Sequence, residues 1–394
     1  MLSKNELAKE IKRLEAKNKS LKSEISMIKI SASYKLAQQI VERCKSKVGL
    51  LTLPFFIVNQ FLVRKLKKFI KFNGHIPKHF SEEDLGIDIT TQSYKQGVSV
   101  LIPCYNGEVF VNRCLDSLAK QSLPKALVEV IIILNGRLDN SLNIINSFQE
   151  EHPELLIRVE SLEEANVSRA RNQAIESATR EFSIFLDIDD EISANYLKNL
   201  LDMAKLNTVV FANIKDVLIY SDEAKGDSGK LELSNQNHKL SFDDVMPLVS
   251  KNACKLIPTQ LLKQLKYNKT LKSGEDVVFM SELFAKLKPQ ITLCKHFNET
   301  FYIRHVTDNS VSRKASSYEF CVSQRLEVIA QLDSLLSQQT NKLSKYLLLN
   351  FINFQLNFVA DYILNNQESY KILLQDKRLN TINFDIETAI NRKI

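Results

Sequence analysis

The sequence predicts an α/β fold: a mostly parallel sheet with helices on both faces, preceded by a basic helical arm and followed by a helical region. Three observations carry this. Short β-branched and aromatic runs alternate with segments of helical periodicity between residues 97 and 190. Lysine-rich heptad and amphipathic patterns occupy residues 1–72, and leucine and isoleucine recur at helical spacing beyond residue 313. Alternating strands and helices imply a parallel sheet covered on both sides, with ligands at the carboxyl ends of its strands. A chain of 394 residues allows two or three domains. We divide it into an arm (1–72), a polar linker (73–96), the sheet domain (97–312) and a C-terminal helical region (313–394).

In the arm, apolar residues form a heptad with Leu7, Leu14, Leu21 and Ile28 at d, and Ile11, Asn18 and Ile25 at a. Isoleucine at a, leucine at d and one asparagine at a favour a parallel dimer. An antiparallel pairing would instead match Glu15 with Lys22 and Lys17 with Glu24, so the orientation stays open. Residues 7–28 therefore predict self-association or a helical partner, with a helix lying on its own domain as the alternative. Residues 48–58 (VGLLTLPFFIV) are too short to span a bilayer, which needs about 20 apolar residues. They lead into residues 61–72 (FLVRKLKKFIKF), where Leu62, Leu66, Phe69 and Ile70 share a helical face beside five basic side chains. Such a face suits an anionic membrane surface, or it docks on the main domain with its lysines solvated. Nucleic acid is the weakest reading, because no RNP-like or helix-turn-helix pattern is present. Residues 1–72 carry 17 of the 53 Lys and Arg but 5 of the 46 Asp and Glu, so an arm of +12 precedes a body of −5.

The strands of the domain are residues 98–102, 128–134, 155–159 and 182–186, separated by helical patterns at 109–121 and 167–179. Polar residues follow three of them: Pro103, Cys104, Tyr105 and Asn106; Asn135, Gly136 and Arg137; and Asp187, Ile188, Asp189 and Asp190. Were the chain to stay extended through the last, Asp187 and Asp189 would project to one side and could approach one hard cation, Mg²⁺ or Mn²⁺. An isolated pair of this kind is otherwise a solvated acidic turn. In the C-terminal region, the apolar run 346–363 is interrupted by Asn350, Asn353, Gln355, Asn357 and Asp361, which predicts a buried or interfacial helix that caps the core.

Composition excludes several classes. The nine glycines fall well below the average share of about 7% and form neither dinucleotide-binding nor P-loop spacings. A phosphate ligand would need metal and arginine. The six scattered cysteines form no C-x-x-C pair, which argues against a zinc ribbon or a disulfide framework and for a reducing compartment. No signal peptide is expected, since residues 1–30 lack an apolar core.

Segments 98–122 (VSVLIPCYNGEVFVNRCLDSLAKQS), 166–190 (NVSRARNQAIESATREFSIFLDIDD) and 273–279 (SGEDVVF), in this order and spacing, resemble glycosyltransferase family 2 with a GT-A fold, over residues 97 to about 312. The resemblance implies a nucleotide-sugar donor, here UDP-linked, with Pro103, Tyr105 and Asn106 around base and ribose and Asn135 at the base edge. It implies Arg171 on donor phosphate, Asp187 and Asp189 on a divalent metal, and Asp276 as the general base of an inverting transfer, with Glu275 positioning the acceptor. In the closing loop it implies Arg304 on phosphate or His305 as a further metal ligand. The turn Leu134-Asn135-Gly136-Arg137 departs from the family's usual Asp-Asp-Gly-Ser, and Ala174 stands where glycine is usual. The expected function is metal-dependent transfer to a hydroxyl of a growing bacterial surface glycan, or to a lipid-linked one, on the cytoplasmic face of the membrane. Capsule, O-antigen and lipooligosaccharide are all compatible. A scaffold that binds nucleotide sugar without turnover is the alternative. No nucleic-acid partner is expected.

Overall fold

A strand buried on both faces has no use for polar alternation, and the first two strands carry one charged or hydroxyl residue each in their buried stretch, Ser99 and Glu129. A computed structural model describes residues 77–81, 84, 94–137, 139–218, 240–306 and 317–383. In it these runs form β1 (Lys95–Cys104) and β2 (Val128–Asn135), parallel, with Val98 opposite Val128 and Cys104 opposite Leu134. Val100, Leu101, Ile102 and Ile131 to Ile133 are fully buried, each contributing about 1.5–3 kcal/mol of apolar burial.

Helices α1 (Val111–Ala119) and α2 (Ser141–Glu151) follow β1 and β2, then β3 (Leu156–Leu162), α3 (Val167–Ser177) and β4 (Arg180–Phe185). After these come β5 (Glu191–Ile192), α4 (Tyr196–Leu201), β6 (Thr208–Phe211), β7 (Asn213–Leu218), α5 (Phe242–Val249) and β8 (Lys255–Pro258). The domain ends with α6 (Glu275–Glu282), β9 (Gln290–Leu293) and β10 (Phe301–Val306). A seven-stranded sheet has the order β3-β2-β1-β4-β8-β6-β9, and a smaller one the order β5-β10-β7. Strands β1 to β4 are parallel, as expected; β8 runs antiparallel to both β4 and β6. The chain leaves β1 toward β2 on one side and returns to β4 on the other. The crevice at the carboxyl ends of β1 and β4 is thus a topological switch point, where such sheets bind ligands.

At the opposite end of the sheet Glu129 ties four strands together. Its carboxylate accepts from Ser99 Oγ (2.5 Å), Thr179 N (2.7 Å), Thr179 Oγ1 (2.8 Å) and Arg180 N (3.2 Å), and pairs with Arg158 on β3 (3.2 Å). Burial alone would push this carboxyl up, but the donors from Ser99 and Thr179 and the Arg158 charge hold it below the usual range.

Three further helices close the described chain: α7 (Gln324–Ser337), α8 (Lys342–Asn365) and α9 (Ser369–Leu374). Asn341 caps α8 by accepting from the Leu343 and Ser344 amides. Helix α8 is long and apolar enough to cross a membrane by length and composition. Its Leu347, Leu348, Phe351, Leu356 and Val359 are buried, and it packs against α7 and α6, so this face belongs to the core. The heptad 7–28, segments 48–58 and 61–72, most of the linker and the loop 309–312 lie outside the described residues.

Candidate active site

Three strand ends deliver the cleft. Pro103 lies within β1, and Tyr105, half exposed just beyond it, lines one wall. Asn106 is displaced from that wall: its backbone takes a left-handed φ of +48° and it is not among the lining residues. Asn135 ends β2 with its side chain buried, and its Oδ1 accepts the Asn166 N–H at 2.8 Å. Asn166 in turn caps α3 through Arg169 N (3.0 Å) and reaches Lys269 O (2.9 Å). It is a junction between β2, α3 and the loop before α6.

The two aspartates share the cleft for a different reason from the one the sequence suggested. Strand β4 ends at Phe185, and residues 187–190 form a turn closed by Asp190 N–H to Asp187 O at 3.0 Å. The turn, not a period of two, brings Asp187 and Asp189 to the same cavity of about 770 Å³. Tyr302, fully buried on β10, supports the turn: its hydroxyl oxygen accepts the Asp187 N–H at 3.1 Å and its hydroxyl bonds the Asp190 carboxylate. Asp189 is raised above the ordinary carboxylate range by desolvation and then by the charge of Asp187; buried Asp190 is raised further by burial and by both neighbours. Three carboxylates in one turn repel each other, and the two that line the cavity, Asp187 and Asp189, offer the hard oxygen donors that suit Mg²⁺ or Mn²⁺.

Arg171 on α3 spans the cleft floor. It is buried, its Nη1 donates to Glu275 Oε1 (2.7 Å) and its Nη2 to Asp187 Oδ1 (3.3 Å), and its guanidinium lies 5.6 Å from the Tyr267 ring centre. Asn172 fixes Tyr267 reciprocally, accepting from its N–H (2.7 Å) and donating to its carbonyl (3.0 Å). Burial opposes the arginine's charge, but Asp187 first among its neighbours and then Glu275 and Asp276 hold it protonated. Across from it, Gly274 in the left-handed region (φ +77°) starts α6, placing Glu275 and Asp276 in the first turn. The Asp276 carboxyl is pushed up to about 6, by burial first and by Glu275 next, with Arg171 opposing.

Two further expectations are corrected. Arg304 does not line the cleft: buried Asp216 on β7 holds its guanidinium bidentately, at 2.9 and 2.7 Å. His305 lines the cleft but does not join the aspartates, because its Nε2 faces Glu191 Oε1 at 2.5 Å. Among the described residues no three His, Cys, Asp or Glu side chains form a metal-binding group. The sequence did not single out Asn166, Lys272 or Phe320, all of which line the cavity. Lys272 carried a signal, lying beside Ser273-Gly274-Glu275-Asp276; Phe320 comes from the C-terminal region and carried none.

Residues 99–249 match the family model described as glycosyl transferase family 2. The chain is 30% identical over 198 residues to a poly(ribitol-phosphate) beta-glucosyltransferase of Bacillus spizizenii, covering 48% of this chain and 30% of the relative. It is 29% identical over 202 residues to the poly(ribitol-phosphate) beta-N-acetylglucosaminyltransferase TarS of Staphylococcus aureus, covering 51% and 32%. The match thus spans about a third of these relatives' length. The fold is similar to the crystal structure of S. aureus TarS 1–349 in complex with UDP-GlcNAc, with a TM-score of 0.54 and 20% identity over 76% of this chain and 90% of that one.

Proposed function

Because residues 99–249 form a glycosyltransferase family 2 domain, we propose that the chain transfers a sugar, with inversion, from a nucleotide-sugar donor to a hydroxyl of a bacterial surface glycan. One observation carries this reading: Arg171 ties the Asp187 turn to the helix bearing Asp276, so a pair of carboxylates, a phosphate-seeking guanidinium and a raised carboxyl meet in one cleft at the sheet's switch point. The cleft is acidic. A nucleoside diphosphate enters it only with a counter-cation, which supports metal dependence.

Asp187 and Asp189 would hold Mg²⁺ or Mn²⁺, which when bound offsets the charge that develops on the departing diphosphate. Tyr105 and Asn135 line the part of the cleft assigned to base and ribose. Arg171 exchanges carboxylate partners for donor phosphate oxygens, with exposed Lys272 at the rim adding positive charge. Asp276 Oδ takes the proton from the attacking acceptor hydroxyl, and its raised carboxyl suits a base working near neutral pH. Glu275 Oε1 is engaged by Arg171, so Glu275 orients that guanidinium while facing the acceptor side. The poly(ribitol-phosphate) transferases among the relatives support an anionic surface polymer as acceptor. The basic arm supports work at the inner face of the cell membrane, and the heptad supports self-association or a helical partner.

The test is turnover of UDP-N-acetylglucosamine and UDP-glucose with Mn²⁺, with EDTA, and in Asp189→Ala. We expect slow donor hydrolysis that needs the metal and is lost in the variant. UDP binding without turnover under all these conditions would favour a non-catalytic scaffold.

A further inference from the structure

The turn that presents Asp276 is held from outside the sheet domain. Arg325, in the first turn of α7, is 5% exposed. Its Nη2 donates to Ser273 Oγ, and its Nη1 donates to Gln355 Oε1 on α8 at 3.1 Å. The rings of Phe320 and Phe358 lie 5.1 and 5.9 Å from its guanidinium carbon. Gly274 is pressed so closely on α7 that a Cβ there would come within 2.8 Å of Val328 Cγ2. A buried guanidinium is costly unless its N–H groups and charge are matched. Here Ser273 and Gln355 match the two Nη groups while Nε is left without a partner among the described residues, and burial lowers the arginine's pKa with Asp276 and then Glu275 opposing.

We propose that Arg325 is a positioning residue for the transfer reaction: through Ser273 it fixes where α6 begins, and so keeps the Asp276 carboxylate aimed into the cleft. Gln355 holds the arginine from behind, which makes the C-terminal helices part of the catalytic apparatus instead of a cap on it. The inference rests on Asp276 being the base. The other charges facing Asp276 are Glu275 on its own helix, Arg171 from α3, and Lys251 and Lys255 flanking the start of β8, with the Tyr267 hydroxyl nearby. Arg325 is the contributor from α7.

The experiment compares full-length Arg325→Met, Arg325→Lys, Ser273→Ala and Asp276→Asn, using UDP-N-acetylglucosamine and UDP-glucose with Mn²⁺. It measures kcat and KM for donor hydrolysis across pH, UDP affinity by calorimetry, and hydrogen exchange of residues 273–282. Arg325→Met should lower kcat about 10- to 100-fold while KM and UDP affinity stay within about twofold. It should move the acid limb of the pH profile upward and speed exchange in 273–282. Ser273→Ala should change each quantity in the same direction by less, and Arg325→Lys should fall between Met and the native chain. Should Arg325→Met not fold, Ser273→Ala and Arg325→Lys carry the comparison. Unchanged kcat, acid limb and exchange in the folded variants, with Asp276→Asn inactive, overturns the role of Arg325 alone. Normal turnover in Asp276→Asn overturns the underlying assignment of the base. The exchange readout needs no turnover: unchanged protection in both Arg325→Met and Ser273→Ala also refutes the proposal.

Discussion

Asp276 is asked to be half-buried at the cleft wall and to be charged, and these demands oppose each other. Its carboxyl sits near 6 in the folded chain against 3.8 ordinarily, so the ionised form is worse tolerated folded than unfolded. The stability this group contributes is therefore fully present below about pH 4 and is lost as pH rises through about 6. Asp276→Asn should lower donor turnover by about 10²- to 10⁴-fold yet raise Tm above pH 6 and leave it unchanged at pH 4; a Tm lowered at pH 8 sinks this account. Glu129 shows the opposite sign. Its folded carboxyl lies below the ordinary 4.5, so its stabilisation is present above that value and is lost as acid protonates it. Glu129→Gln should cost about 3 kcal/mol in urea melts at neutral pH, with a smaller penalty at pH 3 and no effect on donor KM. At this scale Asn135 and Asp187 were legible because each stands at a strand end, whereas Arg171 and Asp276 were legible only through the family resemblance of their segments. Arg304 misled because a motif shows an arginine but not the buried Asp216, far away in sequence, that captures it.

At the scale of elements, the four parallel strands and α1 and α3 were legible from apolar runs and helical periodicity, with ends displaced by a few residues. The end of β4 was not: a period-two reading carried it through Asp189, whereas Tyr302 and the Asp190 amide fold the chain into a turn after Phe185. Tyr302 comes from a strand more than 100 residues away and leaves no local trace. The start of α6 depends on Gly274 for backbone freedom and for space. Gly274→Ala forces an L-residue into the left-handed region, at about 1–2 kcal/mol, and drives a methyl toward Val328. We expect a folded variant with lower Tm and kcat reduced more than KM, read from melts and donor hydrolysis. An unchanged kcat would show that α6 tolerates a shifted beginning.

At the scale of the whole chain, charge is segregated by sequence: +12 lies in residues 1–72 and −5 in the remainder. An acidic catalytic body repels an anionic surface, and a basic arm attracts it. Sedimentation with vesicles should therefore show binding to phosphatidylserine-containing membranes in 0.1 M salt and release at 1 M, where the screening length falls to about 3 Å. Binding indifferent to lipid charge, or its absence at low salt, contradicts the membrane assignment. Composition and arm charge were readable at this scale; the contribution of the last helices to the cleft was not, because Phe320 and Arg325 look like ordinary helix residues until α7 is folded against α6.

The phenol of Tyr302 joins two sheets that share no strand. It rises from the middle strand of the smaller sheet and takes hold of the peptide that carries Asp187. The proposed cation site is consequently a gauge of how the smaller sheet is seated: a disturbance along β10 reaches the aspartate turn through the Tyr302 hydroxyl on Asp187 and the His305 amide on Asp190.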